Sequence, residues 1–293
     1  MPGPRPTQWK RFDWQIKSLN NYWGPFNILF ANLCDQFVYS YANTLDYNWL
    51  DGELQNSYYV KAKEVVDKGG VVFAHSMANI ILAGACWQQG KCEVKWYAMG
   101  GGYSGQAISE VLSNTGGIKG FKSPLYWFRP KVIDSFRLNA NGGREDPNYP
   151  NALSKNTAAK RLLKGALCGS RPKGNSGSEE LGASQVLEVV GGSIHKWIQN
   201  HEPEVAARGG AKIDGLVEVV SCGFFMDNGT PQWISDSPTG TTTTPYPVIS
   251  QMNASPSEKF VIMTVSHLEE TGSFPDVTPV VINWMQNMMC SEI

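Results

Sequence analysis

The chain has no surplus of charge of either sign: 25 Lys and Arg stand against 26 Asp and Glu among 293 residues. A nucleic-acid binder usually carries a basic excess and an acidic tail tips the balance the other way, so neither electrostatic partner is expected. Charge is also sparse, at 17% of residues against roughly 25% in an average globular protein. Long apolar runs are missing too. The most apolar windows, Phe26 to Leu33 and Leu181 to Val190, fall far short of the roughly 20 residues a helical membrane span requires, so no transmembrane span is expected. No pair among the six Cys has the close spacing of a metal knuckle. The opening residues Met1 to Lys10 lack the basic stretch and apolar run of a secretory leader.

Large apolar groups are plentiful instead. Ten Trp and an aromatic content of 11% require burial, which excludes disorder for most of the chain. The length suits one α/β domain carrying an insertion. Cys34, Cys86, Cys92, Cys168, Cys222 and Cys290, with the sequons Asn228-Gly229-Thr230 and Asn253-Ala254-Ser255, point to an oxidising compartment, secreted or endomembrane. Without a leader in this sequence, either the protein is intracellular or its true start lies upstream, and the second is the expectation.

Along the chain, residues 1–20 show no clear period or strand, and Phe26 to Leu33 reads as a helix. Gln36 to Tyr41 has the β-branched and aromatic content of a short strand. Between Leu50 and Asp67, Leu54, Tyr58, Ala62, Val65 and Val66 recur at helical spacing. An uninterrupted apolar strand, Val71 to Phe73, then runs into a helix rich in small residues, Ala83-Gly84-Ala85 among them. A second strand, Val94 to Met99, leads through Gly100-Gly101-Gly102 to a helix near Gln106 to Ser113. Helix, strand, helix, strand, helix is α/β order, with a mostly parallel sheet covered on both faces. An aromatic-bearing insertion or lid is expected over about 114–156, a polar linker over about 169–182 and a surface excursion over about 224–257. Val186 to Ile198 reads as a helix, Leu216 to Cys222 as a short strand, Phe260 to Val265 as the last strong strand, and Val277 to Met289 as a closing helix.

Ser76 stands where the apolar strand turns into a helix, with Ala74 two residues before and Ala78 two after. A side chain at such a turn projects from the sheet edge, and the chain reverses that sharply only past small neighbours. The usual pattern is Gly-x-Ser-x-Gly; here it reads Ala-His-Ser-Met-Ala. With its strand and helix context, His75-Ser76-Met77 resembles the α/β-hydrolase superfamily, and within it the lipase- and esterase-like serine hydrolases.

That resemblance implies a Ser, then an acid, then a His in chain order. His267 follows the strand Phe260 to Val265 and precedes the terminal helix, the place it gives the base. His195 and His201, six apart in or after a helix, lack zinc-helix spacing. Asp214, in Asp214-Gly215-Leu216-Val217, is the implied acid, with Asp227 and Asp236 as rivals. The Met77 amide is one expected oxyanion donor. The second normally comes from an early loop carrying a His-Gly pair, and no such pair occurs; the early strands are expected to be missing. Tyr126, Trp127 and Phe128 are candidates for an apolar acyl-binding lid, or for plain packing.

Gly100-x-Gly102-x-x-Gly105 formally matches the dinucleotide fingerprint, yet Leu112 to Ile133 holds no acidic residue for a ribose. In the hydrolase reading these glycines shape a turn at the catalytic edge. The resemblance therefore implies an acyl-enzyme hydrolase of a small-molecule or lipid ester, needing neither cofactor nor metal. The alternative is a catalytically impaired homologue that binds, which the two elbow alanines favour.

Overall fold

The structure, a computed structural model, describes residues 12–14, 23–34, 36–42, 47, 49–89, 92–102, 163–170, 214, 217, 222, 260–263, 265–267, 269–272 and 279–290. In chain order the elements are β1 (Phe12–Trp14), α1 (Phe26–Leu29), β2 (Ser40–Ala42), α2 (Gly52–Asp67), β3 (Phe73–His75), α3 (Met77–Gln88), β4 (Trp96–Met99), β5 (Leu163–Gly169), β6 (Phe260–Met263) and α4 (Pro279–Cys290), with a short 3₁₀ turn at Glu269–Thr271.

The helical period at 50–67 produces α2 for local reasons. The Asp51 carboxylate accepts the Leu54 N–H at 2.9 Å and caps the helix, satisfying an amide that has no intrahelical partner. Leu54, Gln55, Tyr58, Tyr59 and Ala62 form its buried stripe, and the left-handed Gly69 ends it. α3 is apolar almost all round, and Ile80, Ile81, Leu82, Ala83, Ala85 and Cys86 are buried. At Gly84 a Cβ would stand 2.8 Å from the Trp49 ring, so glycine sets how closely α3 approaches that indole.

β3, β4, β5 and β6 lie side by side in that order, every pair parallel. Alternation along a strand sends neighbouring side chains to opposite faces. Trp96 and Ala98 accordingly join Trp49, Leu54 and Ile80 in one core, under α2 and α3. Tyr97 and Met99 join Phe26, Leu167, Val261 and Trp284 in the other, under α1 and α4. Phe73 stacks on Tyr97 at 5.3 Å, and Trp284 meets both edge-on. A parallel sheet with helices on both faces is the α/β arrangement the element order implied. No helix among the described residues is long and apolar enough to cross a membrane.

Three expectations shift. The helix at 26–33 closes after one turn, α1, and passes into turns in which the Phe30 carbonyl accepts the Leu33 and Cys34 N–H groups; it leaves Ile28 and Leu29 exposed. The strand at 36–41 pairs only from Ser40. Its partner is β1, an antiparallel strand inside residues 1–20, where none was expected; with three paired residues, β1 is too short to show a period. The helices at 106–113 and 186–198, the 114–156 insertion with Tyr126, Trp127 and Phe128, the linker after Ser170 and the 224–257 excursion lie outside the described residues. So do His195, His201, Asp227 and Asp236.

Candidate active site

Parallel strands end on one edge, so the residues following β3, β4, β5 and β6 converge there, where open α/β sheets hold their ligands. After β3 comes Ser76, with φ at +55°, the one non-glycine with positive φ among the described residues. A left-handed conformation costs a side-chain-bearing residue about 1–3 kcal/mol and persists only where its surroundings over-determine it. Here they do. Ser76 N–H donates to the Met99 carbonyl at 2.9 Å. The buried Asn79 amide donates to the carbonyls of Ala74, Ser76 and Met99 at 3.1–3.2 Å, and its Oδ1 accepts the Trp96 indole N–H at 3.1 Å. One side chain thus ties the turn to β3 and β4.

After β6 comes His267, whose Nδ1 lies 2.7 Å from Asp214 Oδ2. His267 N–H donates to the Asp214 carbonyl at 2.9 Å, so backbone and side chain fix the pair together. Asp214 Oδ1 accepts the Val217 N–H at 2.7 Å. Asp214 and His267 are both buried. Cys222, eight residues past Asp214, is disulfide-bonded to Cys168 of β5; Cys86 is bonded to Cys92. His267 Nε2 has no hydrogen-bond partner among the described residues.

His75 points its ring toward His267, with centroids 4.4 Å apart, and its Nε2 lies 2.9 Å from the His267 carbonyl. A carbonyl only accepts, so His75 Nε2 carries the hydrogen. Burial, and then the neighbouring His267, hold this imidazole well below its ordinary value, which leaves it neutral. On its other side stands Trp23, edge-on at 6.0 Å, and Gly24 N–H donates to the Thr271 carbonyl at 3.2 Å. The segment entering α1 is therefore laid against the histidine-bearing loop.

Glu270 is fully buried in the same cluster. Its Oε1 accepts the Gly169 N–H, while its Oε2 is 3.4 Å from His75 Nε2 and 3.5 Å from His267 Nδ1. Burial, and after it the Asp214 carboxylate alongside, raise the Glu270 carboxyl well above the usual range; the Gly169 amide pulls more weakly the other way. His75, His267 and Glu270 bring ligand-type atoms within 4.8 Å of one another. They do not suit a cation: His267 Nδ1 is taken by Asp214, and the Gly100 backbone fills the space, since a Cβ there would stand 2.0 Å from Glu270 Oε2.

Of the residues singled out in the sequence, Asp214 and His267 are in contact, and Ser76 adjoins His75, which holds the His267 carbonyl. Met77 opens α3. Asn79, Glu270 and the bracing role of His75 were missed. The available signals were a polar residue at the first turn of an otherwise apolar helix, and two adjacent acids following His267.

The fold resembles that of a solved Bacillus licheniformis lipase in its mature form, at a TM-score of 0.45 and 11% sequence identity over 87% of this chain and 80% of that one. No family model matches the chain, and no curated protein matches it.

Proposed function

We propose that the chain is a serine ester hydrolase of the lipase and carboxylesterase type, with the α/β-hydrolase fold. The observation that carries this reading is a left-handed serine at a strand-to-helix turn on the same sheet edge as a buried Asp–His pair 2.7 Å apart. A hydroxyl is a poor nucleophile near neutral pH and needs a base, itself oriented by a carboxylate.

The roles follow from donors and acceptors. An ionised Asp214 only accepts, so it holds the hydrogen on His267 Nδ1 and leaves Nε2 bare. Nε2, which has no hydrogen-bond partner among the described residues, takes the proton of Ser76 as the serine oxygen bonds to the ester carbonyl carbon. The tetrahedral oxyanion is met by the Met77 amide, one of the first amides of α3 and so without an intrahelical acceptor. Collapse expels the alcohol, which takes the proton from Nε2. Water then repeats the sequence on the acyl-enzyme. Ala74 and Ala78 serve where glycines are usual, since each adds only a methyl group beside the turn.

A fluorophosphonate probe tests the reading. The folded wild type is expected to be labelled and Ser76→Ala not. Asp214→Asn is expected to lower kcat by about 10⁴, the scale of a triad whose imidazole loses its tautomer. Absence of labelling in a folded chain supports instead a homologue that binds without turnover.

A further inference from the structure

We propose that Glu270 is a positioning residue of the Asp214–His267 pair, a second buried carboxyl that directs the His267 Nδ1 hydrogen to Asp214 alone. This rests on the hydrolase reading for its consequence in catalysis, though not for its effect on the pair.

The geometry is specific. His267 Nδ1 faces two carboxyl oxygens, Asp214 Oδ2 at 2.7 Å and Glu270 Oε2 at 3.5 Å. The chain makes room for the second with two glycines. A Cβ at Gly100 would stand 2.0 Å from Glu270 Oε2 and 2.9 Å from the His267 ring; one at Gly169 would stand 2.7 Å from Glu270 Oε1 and 2.8 Å from Asp214 Cβ. A carboxyl packed this tightly against the pair, with Oε1 held by the Gly169 amide, has no freedom to turn away.

Two adjacent buried carboxyls do not both ionise; the better-solvated one takes the charge. Asp214 has the Val217 amide and the His267 ring hydrogen as donors. Glu270 has the Gly169 amide on Oε1 and no hydrogen-bond partner for Oε2 among the described residues. Asp214 is therefore the anion and Glu270 the neutral acid, as the upward displacement of the Glu270 carboxyl agrees. The neutral acid offers no competing negative charge to Nδ1–H, and the ring hydrogen is left to Asp214. The other ionisable groups facing it are His75, kept neutral by burial, and His267. Glu269 of the same turn directs its Oε2 to the Ser266 amide. Were Glu270 ionised, two anions would share one ring hydrogen and the pair would lose its single orientation.

The test uses the full chain with Glu270→Gln and Glu270→Leu. Glutamine keeps a neutral polar head and an acceptor for the Gly169 amide but cannot ionise. Leucine keeps neither. Expected is a kcat about tenfold lower in Glu270→Leu with little change in KM, the scale of a buried amide left without its acceptor, mostly recovered by Glu270→Gln. The wild type is expected to lose kcat at high pH as Glu270 ionises, a limb that Glu270→Gln lacks. In proton NMR the downfield His267 Nδ1–H resonance is expected in the wild type and Glu270→Gln, and weakened by exchange in Glu270→Leu. A high-pH limb unchanged in Glu270→Gln overturns the proposal, as does an unaltered resonance in a folded Glu270→Leu. If leucine prevents folding, the glutamine profile decides. The resonance needs no turnover, so a chain that fails fluorophosphonate labelling yet shows this pattern refutes the hydrolase reading and leaves the role of Glu270 standing.

Discussion

A few side chains at the sheet edge are tied to one another so closely that single atoms decide the outcome. Gly100 has φ at +54°, and any Cβ there would collide with Glu270 and the His267 ring. Gly100→Ala is expected to lose about 1–3 kcal/mol of stability from backbone strain and, under the proposed chemistry, at least about tenfold in kcat/KM through displacement of His267; a melt and an ester assay read the two. A second prediction concerns protons. Glu270 titrates near 4.5 when unfolded and well above it when folded. Between those values the folded chain holds a proton the unfolded chain has released, so this stability is fully present below 4.5 and declines as pH rises through the folded value. Glutamine has no such proton, so the melting temperature of Glu270→Gln relative to wild type is expected to climb as pH rises from about 5 through the folded value of Glu270. A difference constant over that range contradicts it. His75 runs oppositely: its contribution is present above 6.5 and lost as pH falls through its lowered folded value, which separates the two in one titration. Ser76, Asp214 and His267 could be singled out as candidates because each sits beside a strong linear signal. Glu270 could not, since its meaning lies in contacts with residues 100, 169 and 214 that no local spacing reveals.

Among elements, legibility followed length and burial. α2, α3 and α4 run for at least three turns, long enough for a period to rise above chance, and β3, β4 and β6 are apolar because both their faces are covered. β5 offers no clean strand period, because Lys164 and two glycines interrupt its apolar sequence. β1 and β2 pair over three residues each, fewer than any pattern needs. The disulfide between Cys168 and Cys222 is the connection that sequence left open, and it ties β5 to the segment following Asp214. Closing a loop of 54 residues stabilises by about 4 kcal/mol on the chain-entropy account. The double variant Cys168→Ser with Cys222→Ser is expected to lose about 2–4 kcal/mol in denaturant melts, and to lose kcat beyond that loss because Asp214 is less firmly held. Full kcat at a temperature where the variant remains folded contradicts the second part.

At the scale of the molecule, the described sheet separates two cores, and each is anchored by a fully buried Trp: Trp96 with Trp49 on one face, Trp284 on the other. Trp284 meets Phe73 and Tyr97 edge-on, so it joins α4 to two strands at once. Trp284→Ala is expected to cost about 3–5 kcal/mol, read as a lower denaturant midpoint, and a loss under 1 kcal/mol contradicts that placement. The low charge density and aromatic wealth of the sequence are thus spent on two cores. The parallel order also has a consequence in time. β6 must reach across the chain to align with β5, Ala166 opposite Phe260, and His75 and His267 stand 192 positions apart. A ribosome adding about 5–20 residues each second needs about 10–40 s to travel that interval. Throughout it the growing chain already carries its serine and cannot yet use it. Under the proposed chemistry the protein stays inert toward esters around the ribosome until the stretch carrying His267 is made, a safeguard written by topology alone.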